Sequence, residues 1–247
     1  RFAFGHTELH PIALFTAARP KPAAVAALVP PSSLEPGVWR LASFTPSAAA
    51  WQRNGRVTEL PYGFSGSDRE SGATASQDDQ VRSGVLRHCL SIHPPWRGGH
   101  GTLWSDYRLA LPTNLPIRLK FYTAIRDSRD DEPKSDGVDF RVKLMDASNA
   151  ERELFARFTD AKAWQPAEAD LSAYAGQTVT LRLWNGPGPK NDTTCDNGYW
   201  GDPLLLIGAV PPPATEAEWA ARAASASLLA RAAAAGKTRA PNAFLLK

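Results

Sequence analysis

The sequence predicts an all-β fold, an antiparallel jelly-roll-like β-sandwich with an irregular N-terminal arm and one C-terminal α-helix. Three observations carry this. In the segment 117–126, Ile117, Leu119, Phe121, Thr123 and Ile125 share one face of an extended chain, while Arg118, Lys120, Tyr122 and Arg126 take the other. The same period of two recurs in Val138, Phe140, Val142 and Leu144, and again in Val179, Leu181 and Leu183. The connections between these segments are turn-like or irregular, and none holds the long amphipathic helix that joins parallel strands.

Residues 1–36 carry Pro11, Pro20, Pro22, Pro30, Pro31 and Pro36 among many alanines, a composition that suits an extended arm. A short strand is expected over 37–44 (Val38, Trp39, Leu41, Phe44), followed by a polar, glycine-rich loop to residue 84 with room for one strand. The best-supported core spans 85–210. There the three alternating segments are joined by weaker strands at 85–92, 103–111, 152–158 and 203–210, giving about seven or eight strands, the size of a sandwich. After Pro211, Pro212 and Pro213, Thr215 and Glu218 form a capping box, and an alanine-rich helix is expected to about Ala235, closed by Gly236. Its stripe of Trp219, Ala223, Ala226, Ala230 and Ala233 suits close packing on another surface. The domain reading is therefore an arm over 1–36, a sandwich over 37–210, and a proline linker plus helix over 211–247 leading to a following region.

The bulk numbers narrow the function classes. With 43% hydrophobic and 21% charged residues the chain is globular, and no apolar run is long enough to span a membrane. The net charge of +3 comes from 28 basic and 25 acidic residues that are well mixed, which argues against a nucleic-acid surface. The chain starts with Arg and has no secretory leader pattern, so a processed chain or a fragment is expected. Only Cys89 and Cys195 are present, and they are read either as one disulfide closing a loop of about 100 residues or as two thiols.

Several runs look familiar in this order: Ser135-Asp136-Gly137-Val138-Asp139-Phe140-Arg141-Val142, then 170–183 with Asp170-Leu171-Ser172-Ala173-Tyr174-Ala175-Gly176, then Gly186-Pro187-Gly188-Pro189 and Tyr199-Trp200-Gly201-Asp202-Pro203. Together with His93-Pro94-Pro95 and the stretch 99–107, they resemble the NPCBM-like group of galactose-binding-like carbohydrate-binding modules in secreted bacterial multidomain proteins. The resemblance covers about half the chain, whereas residues 1–84 and the C-terminal helix have no counterpart in it. It implies a jelly roll, a poly- or oligosaccharide partner, neighbouring domains on the same polypeptide, and a secreted or cell-surface location.

Sugar rings present apolar C–H faces that stack on indole, and their hydroxyls need directional polar partners, so aromatic residues beside polar ones are the candidate ligand-binding set. These are Trp96 and Arg97 on the 94–101 loop, Trp104 in the polar register of its strand, Trp184 with Asn185, and Tyr199 and Trp200 beside Asp196 and Asn197. The alternative for each ring is ordinary packing.

His88, Cys89, His93 and His100 match no standard zinc spacing, and His88 is read as a hydrogen-bonded core residue in line with Leu86, Leu90 and Ile92. Calcium is the one cofactor with a chemical case. Asp127, Asp130, Asp131 and Asp136 crowd one loop, and Asp192, Asp196 and Asp202 another, with Asp127, Asp136 and Asp202 as the candidate ligands of a structural ion. No nucleophile elbow, phosphate loop or His-Glu-x-x-His motif is present, so catalytic residues are not assigned. Three readings are carried: a non-catalytic carbohydrate-binding module, a structural or protein-interaction sandwich, and a small glycoside hydrolase or lyase.

Overall fold

The computed structural model describes residues 34–60 and 66–209, and they are all-β. The strands are β1 (Gly37–Arg40), β2 (Ala48–Arg53), β3 (Arg56–Glu59), β4 (Gly66–Ser67), β5 (Thr74–Arg82), β6 (Val85–His93) and β7 (Thr102–Ala110). They continue as β8 (Ile117–Ile125), β9 (Val138–Met145), β10 (Glu151–Thr159), β11 (Gln165–Asp170), β12 (Thr178–Pro187) and β13 (Gly198–Ile207). Two sheets form, one in the order β11-β8-β13-β6-β5-β4 with β1 also on β13, the other in the order β10-β9-β12-β7-β2-β3. Every strand pairing in both is antiparallel. The C-terminal helix and residues 1–33 of the expected arm lie outside the described residues.

The three alternating segments become β8, β9 and β12, and their apolar sides fill the space between the sheets. Leu119 and Phe121 from one sheet and Phe140, Val142, Leu181 and Leu183 from the other are all fully buried. Removing such side chains from water, at roughly 25 cal/mol per Å² of apolar area, is the term that holds the layers together. Trp200 of β13 sits at the centre, with ring centroids 5.1 Å from Phe121 and 5.3 Å from Phe140.

The segment 45–84 differs from expectation, because it holds β2, β3 and β5 and the short β4 rather than a loop with one strand. The reason is chemical. β5 reads Thr-Ala-Ser-Gln-Asp-Asp-Gln-Val-Arg and buries only Ala75, so its place is set by a full register against β6 from Thr74↔His93 to Arg82↔Val85. Backbone pairing of this kind leaves no apolar alternation in the sequence. The turn of the β2–β3 hairpin is Asn54-Gly55, with φ of 51° and 77°, the left-handed pair that a two-residue hairpin turn requires.

Strand β13 changes neighbours part way along. Up to Gly201 it pairs β6, and from Leu204 onward it pairs β1. The register slips between Gly201 and Leu204, and Asp202 in that bulge has φ of 41°. Its carboxylate accepts from Arg40 of β1 at 2.9 Å and from Arg87 of β6 at 3.1 Å. Asp202 is therefore the pin at the fork, and both guanidiniums compensate the cost of burying it.

The cysteines are free, which settles that alternative against the disulfide. Cys89 lies opposite Gly201, four residues from the His93 end of β6 and so about 13 Å from the strand end that faces the Cys195 loop, beyond the about 7 Å reach of a disulfide. Burial raises the Cys89 thiol far above its usual range, so it stays protonated and unreactive.

Candidate functional site

The strand directions bring the loops 68–73, 94–101, 126–137, 160–164 and 188–197 and the 54–55 turn to one end of the sandwich. Loop 94–101 is fixed there at several points. The N–H groups of Trp96 and Arg97 both donate to the Ser71 carbonyl at 2.9 Å, and the buried Thr193 hydroxyl donates to the Pro95 carbonyl at 2.6 Å. The Trp96 indole lies against Gly72, whose φ is 76° and where a Cβ would collide with the ring. It remains 42% exposed. Arg97 stands 4.8 Å from the Trp96 ring and donates to the Arg69 carbonyl at 2.8 Å.

Next to this loop is a cavity of about 250 Å³ between the β2–β3 turn, the start of β7 and the 188–191 stretch. Gln52, Arg53, Asn54, His100, Thr102 and Asn191 contribute its polar groups. Arg53 joins the cavity to the tryptophan loop, because the residue lines the cavity and its guanidinium donates to the carbonyl of Arg97. The sequence reading missed these residues. Asn54-Gly55 is a hairpin signal that could have placed Gln52, Arg53 and Asn54 at a strand end.

The structure separates the remaining candidates instead of gathering them. Trp200 is fully buried, and its indole N–H donates to Asn185 Oδ1 at 2.6 Å. The Asn185 amide in turn reaches the Ile92 carbonyl at 3.5 Å. Both residues fall on the inward register, so they form a hydrogen-bonded core pair and not a ligand contact. Tyr199 is buried on the opposite side of its sheet, under Trp164 and with the Arg82 guanidinium 4.7 Å from its ring. Asn197 Oδ1 accepts from Ser91 at 3.0 Å, and its carbonyl accepts from the Arg126 N–H at 2.9 Å.

Asp196 is fully buried and accepts from Ser135 at 2.5 Å, tying loop 188–197 to loop 126–137. Burial pushes its carboxyl up to about 7; nearby Asp136 and Asp192 add to the shift, and Ser135 and Lys162 oppose it.

Trp104 and Trp184 do meet, as direct cross-strand partners on the outer face of the second sheet. That face is closed by cations. Arg182 lies 4.5 Å from the Trp104 ring, and Arg141 and Lys143 lie 5.2 and 5.4 Å from the Trp184 ring. Each cation is also neutralised. Arg182 makes a two-pronged contact to Asp106 at 2.8 and 2.9 Å, Arg141 donates to Asp139 and Glu153, and Lys143 donates to Glu151. Trp104 is only 6% exposed.

The calcium candidates do not converge. Asp127 pairs with Arg82 at 3.3 Å, Asp136 lies 4.0 Å from Lys190, and Asp202 is committed to its two arginines at the fork. Among the described residues no group of three acidic, histidine or cysteine side chains could hold a metal ion. His88 is half-buried, not a core residue; Asp79 lies 2.7 Å from it, and Leu86 beside it is exposed.

No protein-family profile matches this chain. An uncharacterized protein of Archaeoglobus fulgidus is 37% identical over 101 residues, 38% of this chain, and the chain spans 25% of that relative's length. Solved structures with a similar arrangement include carbohydrate-binding modules. The tandem CBM51 modules of a family 98 glycoside hydrolase from Streptococcus pneumoniae SP3-BS71 match 72% of this chain and 51% of theirs, at 13% identity and a TM-score of 0.42. The CBM22-1 and GH10 modules of a Clostridium thermocellum endo-1,4-β-D-xylanase, complexed with xylohexaose, match 74% of this chain and 30% of theirs, at 8% identity and a TM-score of 0.40.

Proposed function

We propose that this chain is a non-catalytic carbohydrate-binding β-sandwich of a larger secreted or surface protein, and that it takes a short stretch of glycan at the loop end. In this reading a pyranose ring stacks on Trp96, and its hydroxyls or those of the next ring bond to Gln52, Arg53, Asn54, His100 and Asn191 in the adjoining cavity. The observation that carries it is the state of Trp96. It alone among the described tryptophans is exposed, and the backbone bonds of its loop and Gly72 hold the ring in one orientation. A rigid aromatic face beside convergent polar groups binds a sugar without first having to be ordered. The sandwich over 37–210 is the binding unit.

The test is a glycan array followed by titration calorimetry on wild type and Trp96→Ala, with near-ultraviolet circular dichroism as the check on folding. Saturable binding to particular glycans, lost in the variant, is expected. An unchanged affinity in Trp96→Ala, or an array with no binder, would overturn the reading.

A further inference from the structure

The arginines beside Trp96 and the adjoining cavity are partnered differently from the cations around Trp104 and Trp184. On the outer face of the second sheet Arg141, Lys143 and Arg182 each hold a carboxylate. At the loop end Arg53 donates to the Arg97 carbonyl and Arg97 to the Arg69 carbonyl, and both contacts are to neutral backbone oxygens. Among the described residues none of Arg53, Arg69 and Arg97 forms an ion pair. Asp68 is close enough to Arg53 to feel its charge, but its carboxylate is already occupied by the Ser71 hydroxyl at 2.6 Å and by the Glu70 N–H at 3.1 Å. Among the described residues no carboxylate lines the cavity, whose ionisable groups are Arg53 and His100; Asp192, next to Asn191, is near enough for the His100 charge to lower its carboxyl.

A guanidinium that is held in place, keeps free donors and bonds no carboxylate among the described residues is a ready anion receptor. It offers a planar fork that matches a carboxylate in two-pronged geometry, and such charge-assisted bonds are roughly twice as strong as neutral ones. From this we infer that the glycan is anionic: a chain containing uronic acid, whose ring stacks on Trp96 while the carboxylate of that or the next residue is taken by Arg53, with Arg97 adding charge at the rim. This inference rests on the sugar-binding reading above and adds the ligand's charge to it. A neutral sugar would leave the Arg53 donors to hydroxyls alone, and an anionic one without a ring to stack would leave Trp96 unused.

The experiment compares matched ligands by titration calorimetry. Oligogalacturonides, alginate oligosaccharides and glucuronoxylan fragments are each measured beside their carboxyl-reduced counterparts, with dextran sulfate as a charge control. Expected is a preference of about tenfold or more for one carboxylated chain over its reduced partner, the ratio that one added charge-assisted contact supplies. Affinity for the carboxylated chain is expected to fall between 0.05 and 0.5 M salt, estimates of roughly the range over which exposed charges become screened. Arg53→Gln is expected to bring the pair to parity, whereas Trp96→Ala weakens both members.

Equal affinity of the wild type for both members of every pair overturns the anionic assignment and leaves the sugar-binding reading intact. Dextran sulfate binding as tightly as the best uronate, or Arg53→Gln keeping the full preference, also overturns it. Binding to no member of any pair overturns both.

Discussion

The outer face of the second sheet and the loop end present the same residue types with opposite bookkeeping of charge. On the sheet, Trp104 and Trp184 lie side by side under three cations, and every cation is answered by a carboxylate from its own or a neighbouring strand. At the loop end, Trp96 keeps 42% of its surface exposed although Arg97 lies 4.8 Å from its ring, and Arg53 and Arg97 donate to backbone carbonyls. The difference teaches that an aromatic residue beside an arginine is not in itself a site. Where the charge is balanced internally the pair closes a surface, and where no carboxylate answers it the guanidinium keeps donors directed to solvent.

The largest expected effect lies in the core that both regions rest on. Trp200→Ala removes the ring between Phe121 and Phe140 and orphans the Asn185 amide, and is expected to cost about 3–5 kcal/mol in urea unfolding. A loss below about 1 kcal/mol would mean that the ring is not central. Next, Asp106→Ala strips Arg182 of its two-pronged partner and leaves it Glu151 at 3.5 Å. It is expected to cost about 2 kcal/mol, less than a fully buried pair because both side chains keep some contact with water. With Glu151→Gln added to remove the remaining carboxylate, Arg182 should give the sheet face measurable uronate binding that survives Trp96→Ala.

A third effect depends on pH. Asp196 has its folded-state carboxyl raised from an ordinary 3.8 to about 7. Its contribution to stability is therefore complete below about 4 and is lost as pH rises toward 7, where the unfolded chain is ionised and the folded one must become so. Asp196→Asn, which mimics the protonated form, should match wild type at pH 4 and exceed it in urea midpoint at pH 8. A larger gap at pH 4 would reverse that sign. The smallest effect is that of Trp96→Ala on stability, expected at about 1 kcal/mol because the residue already keeps 42% of its surface in water and lies outside the core between the sheets.

The fold was legible where burial on one face writes an alternation into the chain. β8, β9 and β12 carry that signal in Phe121, Phe140 and Leu181, and their neighbours on the other side are charged. β5 carries none and β11 alternates only through the small side chains of Ala167 and Ala169, since strands toward the margin of a sheet are held by backbone bonds that any residue can make. For the candidate site, Trp96 and Arg97 were visible because a loop bounded by prolines and glycines leaves few inward positions. Trp200 and Asn185 were misjudged because their register depends on β13 and β12 meeting strands far away in sequence. Arg53 and His100 escaped for the same reason: they are 47 positions apart and come together only through the pairing of β2 with β7.

The fork at Asp202 bears on where this domain can be cut. A chain trimmed to the apolar-patterned stretch that begins at residue 85 would lose β1, and with it the hydrogen-bonding partner of Arg40↔Leu204 through Gly37↔Ile207. It would also strip β2 from β7. With β5 gone from β6 as well, three strand edges, one of them running through Leu204, Leu205, Leu206 and Ile207, would then face water unpaired, the condition under which sheets join to one another between molecules. The four residues of β1 thus act as a cover strip that keeps the central strand of the first sheet from becoming its edge.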